Sequence, residues 1–204
     1  MKNSKWIAEK LLEIDAIKVD AAAPFTWSSG IQSPIYCDNR LSMSYPSIRE
    51  ALANEFVTYI QTNYPDTEVI CACATAGIPH AAWIAQKMNL PMIYVRGKSK
   101  GHGMKNKIEG VLKPDQKVVV IEDLISTGGS VIDVANEVVD AGGELQQIVS
   151  IFSYELNKAE ANFQENNFTY HSLLTFKDLL TVVNDKGVLS SEEIDQLKEW
   201  KERV

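Results

Sequence analysis

The sequence predicts an α/β protein in which a central parallel sheet is flanked by helices. Short apolar runs rich in β-branched residues alternate along the chain with segments of helical periodicity, which is the order of a parallel sheet with crossover helices. These runs are apolar throughout, as expected of strands that are buried on both faces. A chain of 204 residues, 45% hydrophobic and 23% charged, is long enough to enclose one such sheet.

The predicted elements alternate in a regular order along the chain. They are a helix over 5–14, an irregular strand over 21–30 that ends in a turn, an extended segment over 33–40, a helix that begins near 44, a strand over 69–74, a helix over 78–88, strands over 92–95 and 118–121, a helix over 129–141, a strand over 147–152, and helices around 157–164, 176–184 and from 190. Pro46 favours a helix start, and Ser190 with Glu193 predicts a capped start for the last helix. We expect a single domain over 1–204, with an N-terminal extension over about 1–45, a core over 46–155 and C-terminal helices over 156–204.

Charge and composition exclude several classes of protein. The 20 Lys and Arg against 27 Asp and Glu give a net charge of −7, so the chain lacks the broad basic field of a general nucleic-acid binder. No apolar stretch approaches the ~18 residues of a membrane span, and Glu9 and Glu13 interrupt the N-terminal segment, so neither a membrane anchor nor a signal peptide is predicted. Cys37, Cys71 and Cys73 lack zinc-ligand spacing and a disulfide framework, and reduced thiols suit a cytoplasmic protein.

The strongest functional signal lies between Val118 and Ser130. Four apolar residues are followed by the adjacent acids Glu122 and Asp123, and then by a loop rich in Ser, Thr and Gly that leads into a helix. Ligands of parallel sheets bind beyond the carboxyl ends of the strands, where this loop is expected to lie. Three kinds of group here favour an anion: the N-terminus of the following helix, the backbone N–H groups of Gly128 and Gly129, and the hydroxyls of Thr127 and Ser130. The loop is therefore predicted to hold a phosphate.

The two acids require a different ligand, because carboxylates repel a phosphate unless they hold sugar hydroxyls or a cation. Ser130 and Val131 follow the glycines where a nucleotide P-loop has Lys and Ser or Thr, and no G-x-G-x-x-G follows the first strand. An acidic strand end with an ordinary Ser/Gly helix cap is the plain structural alternative. The full string from 118 to 130 favours a ligand site over that alternative.

A second signal is the cationic stretch from Tyr94 to Gly110. Arg96, four lysines and His102 are interspersed with glycines, in contrast to the acidic chain as a whole. Such a loop suits a lid that brings positive charge to a departing diphosphate. A solvated basic hairpin, or a nucleic-acid contact, is the alternative. A phosphate loop in the same predicted sheet favours the lid.

The string from Val118 to Ser130 resembles the phosphoribosyl pyrophosphate (PRPP) motif of type I phosphoribosyltransferases. In that family two acids at a strand end hold the ribose hydroxyls, and the following loop wraps the 5′-phosphate. The resemblance implies that PRPP is bound by Glu122, Asp123, Leu124, Ile125, Ser126, Thr127, Gly128, Gly129 and Ser130. It also implies that family's fold, a central parallel sheet flanked by helices with an N-terminal extension that covers the base site.

Three further segments are similar to those of orotate phosphoribosyltransferases. Arg96, followed four positions on by Lys100 and two further by His102, matches the spacing of that family's catalytic loop. Residues 25–36 are similar to its segment over the base, and residues 74–79 to its diphosphate-binding loop. In that family the catalytic loop acts at the neighbouring subunit's site, so the resemblance, which spans about 20–155, implies a homodimer with shared active sites.

The chain also departs from this pattern. Ser28 and Ala76 stand where the better-known enterobacterial form has lysines, and the stretch Ser153-Tyr154-Glu155 lacks an arginine sometimes found there. The orotate carboxylate is therefore expected to depend on backbone N–H groups and on hydroxyls such as that of Ser126. Tyr36 is a candidate to stack on the planar base, with an ordinary exposed aromatic as the equal alternative.

The reaction implied by the resemblance is the transfer of ribose 5-phosphate from PRPP to orotate, with Mg²⁺ carried by PRPP rather than by protein ligands. Lys100 is expected to stabilise the leaving diphosphate, His102 to assist as a donor or proton carrier, and Arg96 to bind diphosphate. Neither a nucleic acid nor a membrane is an expected partner. Two alternatives stay open: a phosphoribosyltransferase for another nucleobase, and a PRPP-binding regulator on the same fold.

Overall fold

The computed structural model of this chain describes residues 4–27, 30–97 and 107–204. Its α-helices are α1 (Ser4–Glu13), α2 (Pro46–Asn63), α3 (Gly77–Met88), α4 (Gly129–Asp140), α5 (Asn157–Glu165), α6 (Phe176–Asp185) and α7 (Ser191–Arg203). Its strands are β1 (Ile17–Val19), β2 (Phe25–Thr26), β3 (Gln32–Ser33), β4 (Ile35–Cys37), β5 (Val69–Cys73), β6 (Met92–Val95), β7 (Ile108–Glu109), β8 (Lys117–Ile125), β9 (Glu144–Ser153) and β10 (Tyr170–Thr175). A 3₁₀ helix follows β4 at Asn39–Ser44.

Within the described residues, six strands form the central sheet in the order β10-β9-β8-β5-β6-β7. Neighbouring strands are parallel except for β6 and β7, which form an antiparallel pair. Two small antiparallel pairs, β1 with β4 and β2 with β3, lie in the N-terminal part of the chain. The predicted class, a parallel sheet flanked by helices, is confirmed.

Helices cover both faces of the sheet. Successive residues of β5 point to opposite sides, so that Ile70 packs into one hydrophobic core and Cys71 into the other. The first core includes buried residues of α1, α2, α3, α6 and α7, and the second those of α4 and α5. All five residues of β5 are buried, which explains why its sequence is apolar without alternation.

The N-terminal part is more finely divided than the sequence predicts. The irregular strand expected over 21–30 is a short strand, β2, followed by a turn in which Gly30 has φ +85° and donates to the Trp27 carbonyl at 2.9 Å. The extended segment expected over 33–40 is extended only as far as β4. A 3₁₀ helix then begins, because the Asp38 side chain accepts a hydrogen bond from the Arg40 N–H.

Two strand predictions were too short and three strands were missed. The expected strand over 118–121 continues to Ile125, so Glu122 and Asp123 lie inside β8 rather than after it. The expected strand over 147–152 is longer at both ends, as β9. The missed strands are β1 and β7, which have only three and two residues, and β10, an edge strand whose first three residues carry polar groups that interrupt the apolar pattern. No helix in the described ranges has the length and apolar character needed to cross a bilayer.

Candidate active site

The candidate site lies where β8 extends beyond β5. Pairing between these strands ends at Ala72 and Ile121, whereas β8 continues to pair with β9 as far as Ile125 opposite Ser153. The chain after β5 turns away into α3, so the β5-facing edge of β8 has no β5 partner from 122 onward. This opening is at the carboxyl ends of parallel strands, the usual ligand edge of such a sheet.

The acid pair sits in this opening and is strongly desolvated. Only 5% of Glu122 is exposed, and its Oε1 accepts a hydrogen bond from the Asp123 N–H at 2.9 Å. Burial raises the pKa of the Glu122 carboxyl well above its ordinary value, and the charge of Asp123 raises it further. Burial also raises the pKa of Asp123. A buried and a half-buried carboxyl, both at raised pKa, favour a ligand that donates hydrogen bonds or brings positive charge.

The segment after β4 holds the acid pair in place, and sequence reasoning missed it. Asn39 is fully buried, and its Nδ2 donates to the Asp123 backbone carbonyl at 2.6 Å. Asp38 and Arg40 flank Asn39 in the chain, and the Arg40 guanidinium donates two hydrogen bonds to the Asp38 carboxylate, of 2.6 and 2.8 Å. The positive charge of Arg40 also acts to lower the pKa of Asp123, against the larger effect of burial. The only signal in the sequence was a short polar run after a predicted extended segment.

The predicted phosphate loop runs from β8 into α4 and is supported from behind by α5. Gly128 precedes α4 at φ +79°, and a Cβ on it would lie 2.8 Å from the Phe163 ring, so only glycine fits there. The Asn162 Nδ2 donates to the Thr127 carbonyl at 2.8 Å. Residues 129 and 130 are exposed at the helix start, where an anion can reach them. Neither Asn162 nor Phe163 was singled out from the sequence.

The loop over 74–77, similar in sequence to a diphosphate loop, packs directly against the acid pair. A Cβ on Gly77 would lie 2.6 Å from the Ile121 carbonyl oxygen and 3.6 Å from the Glu122 Cα. The absence of a side chain therefore lets the start of α3 approach the backbone of β8. Ala76 is half-buried and contributes no cation to this loop.

The cationic stretch joins β6 to β7, one strand beyond β5. Arg96 directly follows β6; its Nε lies 3.0 Å from Glu109 Oε1, and its N–H donates to the Lys107 carbonyl at 3.0 Å. Lys107 in turn pairs with Glu137 on α4. Arg96 thus lies on the same carboxyl edge of the sheet as the acid pair. Lys100, His102 and Ser28 lie outside the described residues.

The residues expected near orotate are partly exposed to solvent. Tyr36 is 37% exposed between the buried Ile35 and Cys37, and its ring leans on that of Phe25 with centroids 5.8 Å apart. Ser126 directly follows β8 and is half-buried. Glu155 has a left-handed backbone conformation, with φ +51°. Its Oε2 accepts a hydrogen bond from the Lys177 backbone N–H at 3.0 Å, so its carboxylate caps the first turn of α6.

An acid pair at the open end of a parallel strand, followed by a glycine-rich loop at the start of a helix, is the arrangement that the resemblance to type I phosphoribosyltransferases predicts. The sequence profile of the phosphoribosyl transferase domain matches residues 43–169.

Comparison with individual proteins narrows the class. The chain is 48% identical over 196 residues to the orotate phosphoribosyltransferase of Halalkalibacterium halodurans, covering 96% of this chain and 93% of that one. It is 50% identical over 197 residues to the orotate phosphoribosyltransferase of Bacillus cytotoxicus, covering 97% and 94%. The solved structure of Leishmania donovani UMP synthase superimposes with a TM-score of 0.83 at 26% identity, covering 98% of this chain and 42% of that one. The chain belongs to the orotate phosphoribosyltransferase family.

Proposed function

We propose that this protein transfers ribose 5-phosphate from PRPP to orotate, releasing orotidine 5′-monophosphate and diphosphate. The observation that carries the proposal is the acid pair of β8, a buried Glu122 and a half-buried Asp123, just before the predicted phosphate loop. In the reaction the orotate ring nitrogen loses its proton to solvent and forms a bond to C1′ while the bond from C1′ to the diphosphate oxygen breaks. The departing diphosphate takes the electron pair of the broken bond.

In this proposal Glu122 and Asp123 orient the ribose rather than act as bases. Hydroxyl donors of the sugar offset the desolvation that raises the pKa of both carboxyls. The loop over 126–130 and the start of α4 hold the 5′-phosphate, because backbone N–H groups and the helix dipole both favour an anion. The ribose hydroxyls and the 5′-phosphate are thereby held at two fixed points, which fixes the position of the reacting carbon C1′.

The substrate is proposed to enter as the magnesium complex of PRPP. Within the described ranges, no group of three or more His, Cys, Asp or Glu residues is placed to hold a metal ion. The acid pair supports arrival of the cation with the substrate, because positive charge close to these two carboxylates offsets the desolvation that raises their pKa. The cation also neutralises charge on the leaving diphosphate.

Arg96, Lys100 and His102 are proposed to stabilise the diphosphate at the site of the neighbouring subunit in a homodimer. Lys100 takes the main role in leaving-group stabilisation, and His102 assists as a donor or proton carrier. Ser126 and Tyr36 are proposed to contact orotate. The three buried, unpaired cysteines agree with a cytoplasmic protein, which we also propose.

The loop and dimer proposals are tested together with two variants. Lys100→Ala and Asp123→Asn should each lower turnover by about a hundredfold or more, because each removes charge stabilisation or positioning at the reacting centre. The two variants are then co-expressed with different affinity tags, and the doubly tagged dimer is purified. If Lys100 acts on the partner's site, one site of that dimer carries both changes and the other neither. The doubly tagged dimer should then recover about half of the wild-type turnover.

Lys113→Ala, at an exposed lysine outside the cationic stretch, is the matched control and should keep wild-type turnover. Wild-type turnover in folded Lys100→Ala would refute the role of that residue. A doubly tagged dimer no more active than the mean of its parents would refute shared sites.

A further inference from the structure

The last helix, α7, makes a specific contact with the N-terminal hairpin. Ile194, Leu197 and Trp200 are buried at three-residue spacing, so the same face of α7 packs on the core along its length. A capping box between Ser190 and Glu193 fixes where this helix begins. At its far end the Trp200 indole Nε1 donates to the backbone carbonyl of Gln32 in β3, at 2.7 Å.

The hairpin that receives this hydrogen bond is small. β2 and β3 pair over two residues each, a length that is marginally stable without outside support. Trp27, just after β2, packs its ring 5.8 Å from that of Trp200 in an edge arrangement, and its indole N–H donates to the Ile35 carbonyl at 3.1 Å. Much of what holds the hairpin is therefore aromatic contact with elements far away in sequence.

The same contacts lead to the candidate active site. The Trp27 ring lies 4.5 Å from that of Tyr154, which is buried at the end of β9. The Tyr154 N–H donates at 3.1 Å to the carbonyl of Ile125, the residue before the phosphate loop. The hairpin thus contacts both Tyr154, which is itself hydrogen-bonded to the end of β8, and Trp200 of α7.

We propose that Trp200 is a positioning residue, which holds the β2–β3 hairpin against the carboxyl edge of the sheet so that residues 25–36 are set for the base. The inference rests on the proposed function, because orotate is the base concerned. It assigns a role in substrate affinity to α7, although no residue of α7 lies in the acid pair, the phosphate loop or the cationic stretch.

Trp200→Phe keeps an aromatic ring in the core and removes the donor to Gln32. With the hairpin less firmly held, the KM for orotate should rise about fivefold, with kcat and the KM for PRPP within about twofold of wild type. General destabilisation gives a different pattern, because it lowers the amount of active enzyme and leaves both KM values unchanged. Trp6→Phe, the same change on α1, is the matched control and should leave both KM values at their wild-type levels.

Hydrogen exchange of the ligand-free protein tests the contact without any turnover. Amides over 25–35 should exchange faster in Trp200→Phe than in wild type, whereas those of β8 and β9 should not change. Unchanged exchange over 25–35, or an unchanged KM for orotate in an active enzyme, overturns the role of Trp200. A wild-type protein that consumes no orotate overturns the proposed function instead, and the exchange experiment still decides whether Trp200 holds the hairpin.

Discussion

Glu122 is a carboxyl group placed where folding alone would not favour it. Its pKa is raised by burial and by Asp123, so the folded protein holds this proton to a higher pH than the unfolded chain, whose glutamate titrates near 4.5. Between those two pKa values the folded state binds more protons than the unfolded state. Stability contributed by this group therefore falls as the pH rises through that window.

Glu122→Gln should consequently stabilise the ligand-free protein while impairing its activity. Glutamine retains an oxygen that can accept the Asp123 N–H and carries no charge to desolvate, so we expect a gain of about 1–2 kcal/mol in the free energy of unfolding at pH 8. The gain should shrink toward zero as the pH falls to 4.5. Urea unfolding of both proteins at several pH values measures it.

The exposed Glu202 on α7 provides the control, and Glu202→Gln should show no pH-dependent gain. The prediction is contradicted if Glu122→Gln is no more stable than wild type at pH 8, or if its gain in the free energy of unfolding is the same at pH 8 and pH 4.5. Either result would show that burial of this carboxyl is not costly.

The sequence predicted the roles of some site residues and not of others. The acid pair was found because two adjacent acids follow an apolar run and precede a glycine-rich loop. Asn39 was not singled out and Trp200 was interpreted only as a core or interface anchor, because the link of each to the site is a hydrogen bond to a backbone carbonyl distant in sequence. Such a bond leaves no periodicity or spacing to recognise.

Among the elements, the junction of β8 with the start of α3 is the most tightly packed part of the site. Gly77→Ala would place a methyl carbon 2.6 Å from the Ile121 carbonyl oxygen, a backbone atom that cannot rotate away as the end of a side chain could. We expect a loss of about 1–3 kcal/mol in the free energy of unfolding, because overpacking of this kind displaces the backbone. Turnover of the folded fraction should also fall, since the displaced segment includes Glu122. Urea unfolding and turnover per folded enzyme measure the two effects.

Gly97→Ala is the control for this change, because a Cβ at position 97 has open space around it, and it should leave stability unaltered. Equal stability of the two alanine variants would mean that the close approach at Gly77 is not required.

Element types were more predictable than element lengths. Helical spacing and caps located the helices, as the Ser190–Glu193 capping box of α7 illustrates. The end of β8 was misplaced because polar residues usually mark the end of a buried strand, whereas here pairing with β9 carries the strand four residues further. β10 was missed because an edge strand tolerates polar residues such as His171, whose ring stacks on Tyr59 with centroids 3.9 Å apart.

At the scale of the whole molecule, the site is assembled from segments that are far apart in the chain. The loop at 74–77, the end of β6 and the end of β8 meet at one edge because the parallel strands β5, β6 and β8 end there, and the Asn39 segment joins them through its hydrogen bond to Asp123. The sequence could predict the meeting of the strand ends from the sheet class, since carboxyl ends of parallel strands share an edge, but not the contribution of Asn39. It could not predict the contacts of α7, which depend on packing across 168 residues of sequence.

The central claim is that this assembled edge binds PRPP and transfers its ribose 5-phosphate to orotate. The most direct measurement is the loss of orotate absorbance on adding the purified protein with PRPP and Mg²⁺, with uracil, hypoxanthine and adenine in parallel reactions. We predict PRPP- and magnesium-dependent consumption of orotate alone. Turnover of another base instead would contradict the assignment of orotate. Saturable PRPP binding without turnover of any base would contradict the enzyme and indicate a regulator.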